Sequence, residues 1–335
     1  MTRRGAYALV AAAAAVPRPA VLLHERGAIL TAYTEKSDDF ARTFVAHGTF
    51  GFIPGEPSAY TQPLYGWFLI PLYWIFGRHW PVVGLAQLAV AIVVAWLVFE
   101  IGRRFLSTRT AVVAAVVATL NPYLVWHDMH VNREIVDQVV AAAIVLVTLQ
   151  VAERPRLGRG LLLGLLCGLS ILGNTRLVGV PIIVAAFLAW RVRAWRPALA
   201  VGAVVLAGAA VAVSPWLIRN KVTVGCWALT TDGRAMWKAN NEQTYGLLTS
   251  GQWIDNIPRQ TWMPINPEEA AFIYGRTGRV VHVDECAQMR LYEHKTFVFW
   301  REHPGEKAKL VALAPRMLWD PRPTETTGRN GAGTG

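Results

Sequence analysis

Long apolar runs, separated by short clusters of arginine, fill the first two-thirds of the chain. Residues 82–101 are interrupted only by Gln87 and Glu100, and residues 197–218 carry no charge. A bilayer core of about 30 Å needs about 20 apolar residues as α-helix, so both runs predict membrane-spanning helices. Residues 111–126 and 135–152 are a little shorter and predict two more. The alanine-rich run 7–23 predicts a first span in spite of Pro17, Arg18 and Pro19. No small-residue cleavage site follows it, so it is read as a span rather than a removable signal. Residues 160–190 are apolar but interrupted by Asn174, Thr175 and Arg176. As one helix that stretch puts Arg176 at mid-membrane; as two it gives short helices.

Charge placement decides between these. Short cytoplasmic connections carry an excess of Lys and Arg. Arginines cluster at Arg3 and Arg4; at Arg103, Arg104 and Arg109; at Arg154, Arg156 and Arg159; and at Arg191, Arg193 and Arg196. These four clusters share one face only if 160–190 crosses twice, with Arg176 at the outer turn. The prediction is an all-α protein of about seven transmembrane helices over residues 1–218. Its N-terminus is cytoplasmic and it sits in the cell (plasma) membrane. Outside lie a first loop (24–80), a second loop (127–134), the turn 174–176 and an α-rich extracytoplasmic segment (219–320). The glycine-rich residues 321–335 are expected to be disordered.

Composition agrees with this class. Of 335 residues, 53% are hydrophobic and 16% charged, which excludes a disordered chain. Three cysteines are too few for a disulfide-rich miniprotein. The net charge of +11 invites a nucleic-acid partner, but the basic residues lie between apolar runs, so no nucleic acid is expected. Cys167 falls in a span and reads as a small apolar residue. Cys226 and Cys286 fall outside, where a disulfide is permitted; two unpaired thiols are the alternative.

The outer segments hold the candidate chemistry. The first loop carries Glu35, Asp38 and Asp39. Ser37 can cap a helix 38–47, and acids suit a first turn; that accounts for one aspartate. The sharper reading is a carboxylate placed for general-base work or for a metal. Pro63–Phe76 is expected as an amphipathic interfacial helix in an aromatic belt. The second loop holds Asp128, His130, Arg133 and Glu134, with Asp137 one turn on. Ionisable residues at this depth are functional candidates, and Asp128 with His130 is a candidate pair for a divalent metal. An interfacial salt-bridge network is the plainer account. Arg176 and Arg219 lie where positive residues are disfavoured, and guanidinium groups there suit a lipid phosphate. In the tail, Asn240 and Asn241 beside Trp237 suit sugar hydroxyls, though a surface loop has the same composition. Residues 284–302 read as one helix, and 307–319 as apolar and basic.

Four pieces together give the chain a family resemblance: FARTFVAHGTFGF followed by PSAYTQPLYGWFLIPLYWIFG; NREIVD; the NTRL turn; and PWLIRN followed by WKANNEQTYG. Over about residues 18–319 the chain resembles the C-type integral membrane glycosyltransferases, in the protein O-mannosyltransferase and lipid A aminoarabinose transferase branch (glycosyltransferase family 39-like). The resemblance implies a seven-helix module whose first outer loop carries the catalytic acid. It also implies transfer of a mannose-like sugar from a polyprenyl-phosphate carrier to a protein, envelope glycan or lipid acceptor on the outer face. Residue type favours Asp38 and Asp39 as the catalytic acid, with Asp38 the single choice; counting back from FARTF favours Glu35. Arg133 resembles the arginine kept near the catalytic acid of the mannosyltransferases, and Glu134 the acid of the related bacterial enzymes. Arg176 and Arg219 fall where donor-phosphate contacts are expected. Members of the branch continue with further membrane helices, so the resemblance implies either a truncated chain or a partner subunit.

Three function classes follow. An inverting glycosyltransferase uses a first-loop carboxylate as base, with arginines or a divalent metal stabilising the leaving lipid phosphate. A transporter or flippase requires charge or broken helices at mid-membrane, commonly with internal symmetry, and no repeat is visible. A non-catalytic scaffold or remnant is the third.

Overall fold

The computed structural model describes residues 2–31, 34–192, 194–249 and 284–319. The residues described are helical throughout apart from turns and one isolated bridge between Ile53 and Glu56. The expected disordered tail lies outside the described residues.

The helices in chain order are α1 (Arg3–Ala15), α2 (Pro17–Glu25), α3 (Lys36–His47), α4 (Pro63–Phe76), α5 (Trp80–Gly102), α6 (Thr108–Thr119), α7 (Pro122–His127), α8 (Glu134–Glu153), α9 (Leu157–Gly173), α10 (Val180–Arg191) and α11 (Trp195–Thr223). They are followed by α12 (Gly233–Lys238), α13 (Glu242–Thr249), α14 (Glu285–Glu302) and α15 (Pro304–Trp319). Single 3-10 turns follow α2 (Arg26–Leu30) and α9 (Thr175–Gly179). Among the described residues, four helical runs are long and apolar enough to cross a membrane: Arg3–Leu30, Trp80–Gly102, Glu134–Glu153 and Trp195–Thr223. The fold is that of an all-α membrane protein.

Helix breaks follow local chemistry. Pro17 lacks an N–H and takes the first position of α2, so the first run is split there. The run expected at 111–126 is split at Leu120 and Asn121. The Asn121 side chain accepts from the Tyr123 N–H at 3.0 Å and Pro122 opens α7. Residues 160–190 form two helices, as the arginine pattern requires, with the Asn174 side chain capping the intervening turn at the Arg176 N–H. The helix expected to begin at Asp38 under a Ser37 cap begins instead at Lys36, with Glu35 at the cap position and Ser37 buried in the first turn. Gly48 closes it at φ 72°, in the left-handed region. Helix α4 is apolar all round rather than amphipathic. Its inner face buries Tyr65, Leu69 and Tyr73, and its outer face shows Trp67, Trp74, Ile75 and Phe76. A helix whose exposed side meets lipid has no need of a polar face.

The chain divides into two compact units. The first is Met1–Pro57, Thr61–Thr223 and Trp227–Leu229. Its tightest helix pair is α9 with α11, and glycines set the spacing. A Cβ on Gly164 falls 2.4 Å from the Val205 carbonyl oxygen, and one on Gly168 falls 2.5 Å from the Ala212 Cβ. Small residues four apart let membrane helices approach closely where lipid offers no hydrophobic driving force. Leu163 and Cys167 pack there with Val184, Leu188, Val201 and Val205. At one end of this unit Glu100 takes the Tyr7 hydroxyl, Arg3 and Arg103, and Arg104 pairs with Glu153. Arginines of two of the four clusters, Arg3 and Arg103 with Arg104, therefore form ion pairs at these helix ends.

The second unit is Ser58–Tyr60, Val224–Cys226 and Thr230–Gly335. Cys226 and Cys286 are joined as a disulfide, which the sequence left open. Asp284 caps α14 by accepting from the Ala287 N–H at 2.8 Å. The Glu285 carboxylate is buried and takes the Ser58 hydroxyl (2.5 Å), the Ala59 N–H (3.0 Å) and the Thr231 hydroxyl (2.7 Å). A first-loop segment is thus embedded in the C-terminal unit. A buried carboxylate tolerates that position because its oxygens are occupied by donors.

Candidate functional site

Several pieces of the first unit converge around Arg133. Glu35, at the start of α3, is positioned by its own N–H, which donates to the Val131 carbonyl at 3.3 Å. Its carboxylate comes within 3.9 Å of the Arg133 Nε, and Asp137, one turn into α8, lies at 3.9 Å from the same nitrogen. Arg133 Nη1 donates to the Gln62 side-chain oxygen at 2.8 Å, and Gln62 Nε2 faces the Thr175 hydroxyl at 3.5 Å. Arg176, next to Thr175, is exposed. A fourth group, Glu134, leans the other way, 3.5 Å from His127 Nδ1. Gly173, ending α9, is required for this packing: a Cβ there falls 2.3 Å from an Asp137 oxygen.

Glu35 is half-buried, and its carboxyl is pushed up from 4.5 to about 7. Burial is the largest cause, and the charges of Glu134 and Asp137 add to it. Arg133, through its charge and its backbone N–H, pulls the other way. A carboxylate with this affinity for a proton, open on one side, is suited to accepting one near neutral pH.

The two aspartates of the same helix are placed differently. Asp38 is buried and clamped. Arg78 donates to it from Nε (2.9 Å) and Nη2 (2.6 Å), and the Tyr73 hydroxyl donates at 2.6 Å. Arg78 Nη2 also reaches the Leu30 carbonyl at 2.6 Å. Asp38 thus ties the start of α3 to the α4–α5 connection. Asp39 points outward and faces Arg42 one turn on at 3.5 Å. Burial of its surroundings and the neighbouring Asp38 raise its carboxyl above the ordinary value.

Asp128 and His130, the candidate metal pair, each face other groups. One Asp128 oxygen takes Arg18 from Nε (3.1 Å) and Nη2 (2.6 Å), and the other takes Gln138 at 3.1 Å. The His130 ring stacks on Trp126, with Nδ1 2.7 Å from the Trp126 carbonyl and Nε2 3.9 Å from Glu25. These three donors occupy most of the acceptor capacity of the carboxylate. Among the described residues no group of three or more His, Cys, Asp and Glu side chains is placed to hold a metal. The Arg18–Asp128 pair instead closes the end of an apolar cavity of about 250 Å³ lined by α5, α6 and α8.

Arg219 packs between rings, 4.9 Å from the Trp216 centroid and 5.7 Å from that of Phe50. It also donates to Asn220 (2.9 Å) and the Phe50 carbonyl (3.0 Å). Asn240 and Asn241, in the second unit, are buried and engaged internally. The Asn240 oxygen accepts from Tyr245 (2.9 Å), Trp300 (2.9 Å) and Lys307 (3.1 Å). The Asn241 oxygen takes the Thr244 N–H at 3.0 Å, while its amide donates to the Trp237 and Lys238 carbonyls. Both amides thus make hydrogen bonds within the second unit.

Gln62, Arg78 and Tyr73 escaped the sequence reading. Only Gln62 had a local sign, its place directly before the proline that opens α4.

Residues 57–218 match the family model described as dolichyl-phosphate-mannose-protein mannosyltransferase. Arg133, Glu134 and Arg176 fall inside the matched segment; Glu35, Asp38 and Asp39 precede it, and Arg219 follows it. Comparison with curated proteins and with solved structures gave no match.

Proposed function

We propose that this chain is a membrane glycosyltransferase that moves a mannose-like sugar from a polyprenyl-phosphate carrier to a hydroxyl acceptor, with Glu35 as general base; the match of residues 57–218 to the dolichyl-phosphate-mannose-protein mannosyltransferase model supports this reading. The observation carrying this is the half-buried Glu35 carboxyl, raised to about 7 beside Arg133. Glu35 takes the proton of the acceptor hydroxyl. The freed oxygen attacks the anomeric carbon from the face opposite the phosphate and inverts it. The carrier phosphate leaves with the bonding pair. Arg133 and the exposed Arg176 supply positive charge toward that phosphate, where bidentate donors are most effective. Protein is the acceptor the family description favours. The positive-inside pattern puts this cluster on the outer face and the N-terminus in the cytoplasm.

Glu35→Gln, Asp38→Asn and Asp39→Asn test this singly, in membranes given labelled polyprenyl-phosphate mannose. Glu35→Gln is expected to lose roughly 10²–10⁴ in rate, the range of a lost general base, while Asp39→Asn retains turnover. Wild-type turnover in Glu35→Gln overturns the assignment.

A further inference from the structure

We infer that Gln62 is a positioning residue that holds the Arg133 guanidinium off Glu35 and Asp137 and so sets how readily Glu35 takes a proton. The inference rests on Glu35 being the working carboxylate, and it deepens that reading.

The geometry is specific. An arginine with two carboxylates in reach ordinarily closes on one of them, at about 2.7–2.9 Å and with two parallel bonds. Here Nε stands 3.9 Å from Glu35 and 3.9 Å from Asp137, in contact with neither. The close bond of Arg133 goes instead to a neutral oxygen, that of Gln62 at 2.8 Å. Arginine has no acceptor, so the amide must present its oxygen to Arg133. That turns its nitrogen to Thr175, at 3.5 Å. Thr61 also faces the same oxygen at 3.5 Å. Gln62 is itself fixed, because Pro63 opens α4 directly behind it.

Among the described residues, these groups face Glu35. From the start of α8 come the Arg133 side chain and backbone N–H, Glu134 and Asp137. From α4, Tyr65 is within electrostatic reach. On its own helix Asp38 lies one turn on, already paired with Arg78. Arg133 is the cation of this set whose close bond goes to a neutral oxygen. Releasing it toward Glu35 stabilises the carboxylate form, and adding a negative charge at position 62 does the reverse.

Two variants of similar length separate the outcomes: Gln62→Met, which removes the acceptor, and Gln62→Glu, which makes it anionic. The readout is the melting temperature of the detergent-solubilised full chain across pH 4–9. Each variant is compared with its partner also carrying Glu35→Gln, so that the difference reports the Glu35 titration alone. The titration midpoint is expected to fall by about one pH unit in Gln62→Met and to rise in Gln62→Glu. A structural role for Gln62 changes the melting temperature at every pH and leaves the midpoint in place. Unmoved midpoints in both variants, or movement in the same direction, overturn the inference. Because the measurement needs no catalysis, it stands apart from the glycosyl-transfer assay. Wild-type transfer in Glu35→Gln together with opposed midpoint shifts would sink the proposed reaction and keep the role of Gln62.

Discussion

Three acids within five residues at the start of α3 have three different fates, and depth decides them. Asp38 is buried against Arg78 and Tyr73, Asp39 faces water, and Glu35 lies between. Composition proposes all three and favours Asp38. What separates them is an arginine forty residues downstream and a tyrosine thirty-five residues downstream, neither carrying a local mark. Counting back from FARTF favours Glu35, the acid that the structure leaves neither clamped nor fully exposed. Removing Asp38 leaves Arg78 and Tyr73 unpaired in a half-buried place. Asp38→Ala is therefore expected to cost about 3 kcal/mol, read as a lowered unfolding midpoint in detergent. Glu35 gives an activity-free prediction. Its carboxyl holds a proton up to about 7 when folded and 4.5 when free. Between those values the folded chain binds more protons than the unfolded one, so stability is lost as pH rises through the window. Glu35→Gln should flatten that slope, and an unchanged slope between pH 4.5 and 7 would show that the carboxyl is not perturbed. The same dependence on distant partners explains Asn240 and Asn241. Their composition suits a sugar site, yet Trp300 and Lys307, sixty or more residues on, occupy Asn240.

Elements were more legible than residues, because their limits are written in proline, glycine and hydrophobic period. The ends of α4 and α5, the two helices of 160–190 and the Asp284 cap of α14 all follow from such signals. The early start of α3 and the break at Asn121 did not, since each depends on a single cap competing with a neighbour. The α9–α11 pair offers the sharpest test at this scale. Gly164 meets a backbone oxygen, which has no flexible end to move aside. Gly164→Leu is expected to destabilise by at least the 1–3 kcal/mol typical of overpacking, and to do so more than Gly158→Leu, where a Cβ meets nothing within 4 Å. Thermal unfolding of the two variants compares them directly. In the second unit the disulfide spans 60 residues of chain. Chain-entropy arguments put its contribution at about 4 kcal/mol. Cys286→Ser should make 224–319 sensitive to protease at temperatures where the parent resists; equal resistance would remove the disulfide from the account.

At the scale of the whole chain the charge pattern was the most informative feature. Arginine clusters said that 160–190 turns back on itself, which hydropathy alone left undecided. The structure places a turn there, and ion pairs gather Arg3, Arg103 and Arg104 at one end of the helices. Orientation is testable with little background, because Cys167 is buried and the other two cysteines are joined. In intact cells a membrane-impermeant maleimide should label Arg176→Cys, while Arg156→Cys reacts only after lysis. The opposite pattern would invert the chain and move the Glu35 cluster to the cytoplasmic side. The Ser58–Tyr60 segment carries a consequence for biosynthesis. It belongs to the first loop, yet its polar partner Glu285 lies 227 residues later. At roughly 5–20 residues per second, the first loop must wait on the order of ten to forty-five seconds for the residue that completes it. Until α14 has been made and its cysteine oxidised, this stretch of loop has no permanent place, and it is then that a chaperone or protease would find it.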